Sequence, residues 1–229
     1  MLYLVPTPIG NLEDITFRAV RVLKEVDLVA CEDTRTSRVL LDRYQIGTPC
    51  VSYHDHNERQ RAAELVRKMQ DGKTVALISD AGSPGISDPG FFLVRECIRV
   101  EIPVTALPGP TALIPALAIS GLPCERFCFE GFLPTKKGRR SRLDKLADED
   151  RTMVLYESPH RIGRTLADLA ASLGPDRKAA VIRELSKKFE EATRGSLTEL
   201  ASAFAERRVR GELVVVVAAR DLTAGRDPG

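Results

Sequence analysis

The sequence predicts an α/β protein of two domains, the first built on a parallel sheet, and three observations lead there. From Leu2 to Ser120, short apolar runs of strand length alternate with longer amphipathic stretches at helical spacing. The runs empty into loops rich in Gly, Pro, Ser and Asp, as expected at the strand ends of an open sheet, where ligands bind. Gly121-Leu122-Pro123 then breaks the rhythm before a second series begins, so domains 1–121 and 122–229 are expected, with a cleft between them.

Leu2 to Val5 reads as a buried strand ending in Pro6-Thr7-Pro8-Ile9-Gly10-Asn11. Ile15, Ala19, Val22 and Leu23 recur near helical spacing, which predicts a helix over Thr16 to Lys24. Asp27 to Cys31 is a strand, and the charged edge Glu32-Asp33-Thr34-Arg35-Thr36 leads into a helix reaching Arg43. Cys50 to Tyr53 is a further strand, followed by the turn His54-Asp55-His56-Asn57 and an amphipathic helix over Glu58 to Gln70. Thr74 to Ile78 is continuously apolar, as in a strand covered on both faces.

That strand runs into Ser79-Asp80-Ala81-Gly82-Ser83-Pro84-Gly85-Ile86-Ser87-Asp88-Pro89-Gly90, longer than an ordinary strand-to-helix connection. Gly82 and Gly85 permit positive φ and close approach of backbone to a ligand. Asp88-Pro89 reads as an N-cap and first helical position. Phe91 to Val100 is then helix, Ile102 to Leu107 strand, and Pro108-Gly109-Pro110-Thr111-Ala112 turns into an apolar helix ending near Ser120.

In the second half, Arg126 to Phe132 is expected as strand, with a helix beginning inside the basic stretch Pro134 to Lys145. Thr152 to Tyr156 is strand, Ile162 to Leu173 helix, Lys178 to Arg183 strand, Glu184 to Glu191 a polar edge, Leu197 to Arg207 helix and Glu212 to Ala219 a valine-rich strand. The tail beyond Arg220 is expected to fray.

Composition narrows the function classes. The 34 basic and 32 acidic residues leave a net charge of +2, so any nucleic-acid contact must come from local patches. With 43% hydrophobic and 29% charged residues, the 229-residue chain is expected to fold rather than stay disordered. Five cysteines, at 31, 50, 97, 124 and 128, form neither a disulfide framework nor a zinc spacing. No secretory signal opens the chain, and the longest apolar region, Leu107 to Leu122, is interrupted by Pro108, Pro110 and Pro115 and is too short to span a bilayer. A reducing cytoplasm is the expected compartment.

The Gly82-x-x-Gly85 spacing is not that of a dinucleotide pyrophosphate site, and no Gly-Lys-Ser of a triphosphate loop follows. His54-Asp55-His56 lacks a third metal-ligating partner, no serine-hydrolase elbow occurs, and no metal is expected. A small ligand held by backbone amides and carbonyls, with Asp80 and Ser83 beside them, fits the loop better.

Seven stretches in order then carry a resemblance: Thr7-Pro8-Ile9-Gly10-Asn11-Leu12, Glu32-Asp33-Thr34-Arg35, Ser79 to Gly90, Pro108-Gly109-Pro110-Thr111-Ala112, Gly131-Phe132-Leu133-Pro134, Tyr156-Glu157-Ser158-Pro159-His160-Arg161 and Arg183-Glu184-Leu185-Ser186-Lys187-Lys188-Phe189-Glu190-Glu191. Together, from about residue 2 to 218, they resemble the 16S ribosomal RNA (cytidine-2′-O)-methyltransferases of the tetrapyrrole-methylase superfamily. The resemblance implies a two-domain fold with a parallel-rich sheet in the N-terminal domain and a mixed sheet with helices in the C-terminal domain. It also implies S-adenosylmethionine as methyl donor, a homodimer, and 16S rRNA or the small ribosomal subunit as partner. Cofactor contacts are implied at Asp80, Ala81, Gly82, Ser83, Pro84, Gly85, Ile86, Pro110, Thr111, Ala112 and Leu133. Many members of that family continue past the last valine-rich strand into a further helical segment, which bears on the RNA grip.

Methyl transfer to a ribose hydroxyl needs in-line positioning and removal of a proton by a carboxylate, a lysine of lowered pKa, or a water they hold. Glu184 and Lys187 rank first for that task, with Glu32 and Asp33 past another strand. Arg35, His160 and Arg161 read as phosphate or sugar contacts, since planar guanidinium donors match phosphate oxygens. Arg139 and Arg140, in the basic run, read as RNA-backbone contacts, against the plain alternative of a solvated helix face. A precorrin- or uroporphyrinogen-type methyltransferase, a diphthine-type protein methyltransferase and a cofactor-free RNA-binding assembly factor are the rival readings.

Overall fold

A computed structural model describes residues 1–220 of the chain, so the expected fraying beyond Arg220 lies outside the described residues. The chain divides into two compact units, Met1–Thr111 and Ala112–Gly229. In the first, strands β1 (Leu2–Leu4), β2 (Leu28–Cys31), β3 (Cys50–Ser52), β4 (Val75–Ile78) and β5 (Val104–Ala106) form a wholly parallel sheet in the order β3-β2-β4-β1-β5. Helices α1 (Phe17–Glu25) and α2 (Thr34–Arg43) pack on one face, and α3 (Glu58–Gln70) and α4 (Phe91–Arg99) on the other.

Alternation along the central strand explains both faces at once. Ala76 and Ile78 join Val22, Leu23 and Leu41, while Val75 and Leu77 join Ala62, Leu65 and Leu93. Each fully buried aliphatic side chain contributes about 1.5–3 kcal/mol relative to exposure. The chain leaves β1 toward one face and β4 toward the other, although these strands are neighbours. Their C-terminal ends therefore form a topological switch point, where loops diverge and open a crevice.

Caps set the helix starts. Thr16 Oγ1 accepts from the Ala19 amide at 3.0 Å, and Asp33 Oδ1 from the Arg35 amide at 2.8 Å. α4 departs from the expected Asp88 cap: it begins at Phe91, with Gly90 in the capping position and no side-chain cap. A Cβ at Gly90 would lie 3.1 Å from the Gly85 nitrogen, so the loop doubles back on itself there and only glycine fits.

The second unit holds α5 (Leu113–Ile119), β6 (Phe127–Phe132), α6 (Arg139–Ala147), β7 (Thr152–Glu157), α7 (Ile162–Leu173), β8 (Lys178–Arg183), β9 (Glu191–Ser196), α8 (Leu197–Ala205) and β10 (Leu213–Val217). Its sheet runs β6-β7-β10-β8-β9, parallel only between β6 and β7 and antiparallel elsewhere. In β10, Leu213, Val215 and Val217 face α6, α7 and α8, while Val214 and Val216 face α5. That packing places α5 with the second unit, so the division falls at 111/112 rather than the 121/122 read from Gly121-Leu122-Pro123.

Strand β9 was not expected. Its sequence Glu-Ala-Thr-Arg-Gly-Ser has no apolar alternation, and it forms because β8 offers an edge with six paired residues in antiparallel register. A reciprocal capping box between Ser196 and Glu199 then turns the chain into α8. Among the described residues no helix is long and apolar enough to cross a membrane.

Candidate active site

Three loops of the first unit meet at the switch point. The Thr7 amide donates to the Gly82 carbonyl and the Gly82 amide to the Thr7 carbonyl, both at 2.9 Å, while the buried Thr7 Oγ1 donates to the Ser79 carbonyl at 2.9 Å. Ser83 Oγ donates to the Pro110 carbonyl at 3.1 Å. A Cβ on Gly82 would sit 3.5 Å from Ile9 and 4.0 Å from the Thr111 Cα, and one on Gly109 would sit 2.8 Å from Pro6. The loops after β1, β4 and β5 are thus locked by backbone contacts, with Asp80, Ala81, Gly85 and Ile86 on their exposed side and Gly82 and Pro84 buried beneath. Ser87, with φ of 63°, is a non-glycine residue held in the left-handed region, a strain that persists only where surroundings impose it.

Carboxyl groups crowd the same edge. Partial burial, then the charges of Asp80 and Asp55, push the Glu32 carboxyl up; partial desolvation by the surrounding loops, then the charge of Asp33, raises Asp80 although it lies on the exposed side. Asp88, half-buried and near the charge of Glu32, is pushed up to about 7 by desolvation and then by that charge. Asp33 goes the other way, down to about 2, because the Arg35 guanidinium grips both of its oxygens at 3.1 and 2.8 Å. Arg35 therefore already has an anionic partner, though its side chain is 90% exposed. Crowded carboxyls of raised pKa make a rim that a cationic ligand relieves and an anionic one does not. The described residues hold no group of three or more His, Cys, Asp or Glu arranged for a metal.

In the second unit, Glu184 and Lys187 come together in the turn between β8 and β9. Lys187 Nζ bridges Glu184 Oε1 at 2.9 Å and Glu212 Oε2 at 2.8 Å, and the Glu212 amide also donates to Glu184 Oε1 at 3.2 Å. The Lys187 ion pair lowers the Glu184 pKa. Burial works to lower that of Lys187, yet the hydrogen bonds from its ammonium to Glu212 and Glu184 leave it raised. Of the proton acceptors considered from sequence, a lysine of lowered pKa is therefore not what this turn builds: Lys187 keeps its proton and Glu184 stays ionised. Glu184 and Ser186 have φ of 52° and 67°, a second site of backbone strain.

The Tyr156–Arg161 stretch builds a buried polar network. Glu157, 2% exposed at the end of β7, accepts from Arg161 NH2 and from the Ser158 amide through Oε1, each at 2.6 Å, and from Thr165 Oγ1 at 2.6 Å through Oε2. Arg139 extends it, donating to Thr165 Oγ1 at 2.9 Å, to Asp168 Oδ2 at 2.8 Å and to the Pro134 carbonyl at 3.1 Å. Arg161 NH1 reaches the Leu133 carbonyl at 3.4 Å.

The expected RNA contact at Arg139 is therefore corrected. The residue is 7% exposed and its guanidinium is spent on internal acceptors, because its place in the first turn of α6 turns it toward α7. Arg140 and His160 are exposed, as a backbone contact requires. Leu133 is buried in the core with Leu143 and Leu146, which leaves only its backbone for a ligand. Ala112 stands at the start of α5 as its N-terminal cap residue. Sequence reading missed Glu157, Thr165 and Asp168. The available signal was a carboxylate ending a largely buried strand, four residues before an arginine.

Comparison with known proteins shows the family. Residues 1–201 match the tetrapyrrole (corrin/porphyrin) methylases. A ribosomal RNA small subunit methyltransferase I from Synechocystis sp. is 52% identical over 95% of this chain and 78% of its own length. One from Thermotoga maritima is 46% identical over 96% of this chain and 99% of its own length. Among solved structures, uroporphyrin-III C-methyl transferase from Thermus thermophilus, complexed with S-adenyl homocysteine, superposes with a TM-score of 0.65 at 23% identity, covering 94% of this chain and 96% of that one, a likeness of fold alone. On these matches the chain belongs to the tetrapyrrole (corrin/porphyrin) methylase family and, within it, to the ribosomal RNA small subunit methyltransferase I group.

Proposed function

We propose that this chain is an S-adenosylmethionine-dependent methyltransferase that methylates the ribose 2′-hydroxyl of a decoding-centre cytidine in 16S ribosomal RNA, acting in the cytoplasm as a homodimer. What carries the reading is identity of 46–52% across nearly the whole chain to relatives named for small-subunit ribosomal RNA methylation. The first unit suits the donor: backbone-presenting loops at a switch point and a rim of crowded carboxyls complement a ligand with cationic sulfonium and ammonium groups. Asp80 to Ile86 with Pro110 and Thr111 would hold it.

When bound, S-adenosylmethionine supplies a methyl group already activated by its sulfonium. The protein's task is then to aim the ribose oxygen and take its proton. Glu184, ionised and oriented by Lys187 and the Glu212 amide, accepts that proton directly or through a held water. Lys187 keeps its charge and stabilises negative charge developing on the ribose oxygen. Arg35, Arg140, His160 and Arg161 serve the RNA. For Arg161 the role is indirect, through its hold on Glu157 and Leu133.

Small-subunit particles lacking the modification, incubated with the protein and methyl-labelled cofactor, test the reading. Label is expected in RNA at one cytidine, with the adjoining phosphodiester resistant to alkali because its 2′-oxygen is blocked. Label in a tetrapyrrole and none in RNA would overturn it in favour of the rival chemistry that the same fold serves.

A further inference from the structure

Helices α3 and α4 leave a groove of about 530 Å³ on the outer face of the first unit, lined in part by Arg59, Arg67, Phe92 and Arg99. The guanidinium carbon of Arg59 stands 6.0 Å from the Phe92 ring centre, and that of Arg95 lies 5.4 Å from Phe92 and 5.7 Å from Phe91. The side chains form a ladder of alternating cations and rings, and Phe91 at its end is 72% exposed. A ring that open presents a face on which a planar group can stack.

Half of the basic charge on these helices is uncompensated. Arg99 pairs with Glu96 at 2.9 Å and Arg61 with Glu64 at 2.5 Å, whereas Arg59, Arg67 and Arg95 have no carboxylate partner among the described residues. α3 and α4 together carry six basic and three acidic side chains, a local net of +3 against +2 for the whole chain. Phe91 opens α4 directly after Gly90, so the ladder begins where the candidate cofactor loop ends.

We infer that this α3–α4 face is a second RNA-binding surface, which takes a single-stranded segment next to the modified nucleotide. Phosphates sit on Arg59, Arg67 and Arg95, and an unstacked base lies on Phe91. An exposed ring set among arginines is the chemistry of single-strand binding: the cations follow the backbone, and the ring accepts the face of any base. The inference rests on the proposed function for the identity of the nucleic acid, and on the groove for its location.

Binding of the full chain to small-subunit particles and to a single-stranded fragment of their RNA, followed over a salt series, tests it. The triple variant Arg59→Ala/Arg67→Ala/Arg95→Ala is expected to lower the slope of log affinity against log salt by about 2, at ~0.7 for each phosphate no longer neutralised. Phe91→Ala is expected to weaken binding about 5- to 150-fold, the range for one stacked base. Affinity for S-adenosylmethionine should not change in either. Because Phe91 is exposed, its truncation leaves the core intact and reads out binding even if the triple variant folds poorly. Wild-type RNA affinity and salt slope in both variants would overturn the surface while leaving the function standing. A shift from dimer to monomer with RNA affinity retained would overturn it in favour of a second copy of the chain on this face. A wild-type protein that neither labels nor binds RNA would remove both proposals.

Discussion

Arg139 and Arg140 are neighbours with opposite surroundings, and the contrast shows how little a residue type says about its role. Arg139 closes a buried network onto Thr165, Asp168 and the Pro134 carbonyl, while Arg140 faces solvent. Arg139→Ala leaves Asp168 and Thr165 without their donor and is expected to cost about 3–5 kcal/mol, as for a broken buried ion pair. Arg140→Ala should stay within ~0.5 kcal/mol. Urea unfolding of the two variants checks the difference, and equal midpoints would contradict the network. Glu184 is the corresponding case for chemistry. Glu184→Gln keeps an acceptor for Lys187 and for the Glu212 amide but loses its basicity, so kcat should fall about 10²- to 10⁴-fold. Calorimetry should find unchanged affinity for the methyl donor, and an unaffected kcat would remove Glu184 as the base.

Among elements, the loop after β4 carries the pH behaviour. Its Asp88 is pushed up to about 7 in the folded protein because it is half-buried and sits near the charge of Glu32. An unfolded aspartate titrates near ~4. Between those values the folded state binds the extra proton, so this group lowers stability as pH rises from about 4 to about 7 and changes little above. Asp88→Asn removes the effect: the variant is expected to melt higher than the parent at pH 8, with the gap closing toward pH 5. Thermal unfolding across that range measures it, and a gap independent of pH would show that Asp88 does not carry the charge cost.

Elements also differ in how far the sequence revealed them. The helix over Glu58–Gln70 and the strand over Lys178–Arg183 follow from apolar periodicity and appear with those bounds. β9 has no such pattern, since an edge strand needs only a partner's free backbone groups. The start of α4 was misplaced because Asp-Pro satisfies a local capping rule, while the actual cap depends on the close passage of Gly90 over Gly85.

For the whole molecule, the alternation of strands and helices determined the α/β class, and the order of motifs determined the family and its methyl-transfer chemistry. Both are properties of short segments, and the physics behind them, side-chain periodicity and backbone preference, acts within a few residues. Tertiary structure alone decided which loops share an edge, since neighbouring strands β1 and β4 are far apart in the chain. It alone turned Arg139 inward, gathered Glu32, Asp80 and Asp88 into one repelling rim, and left Lys187 protonated between two carboxylates. These outcomes depend on burial and on charges from distant segments. Desolvation and Coulomb terms are set by what surrounds a group in space, and a linear sequence does not state that.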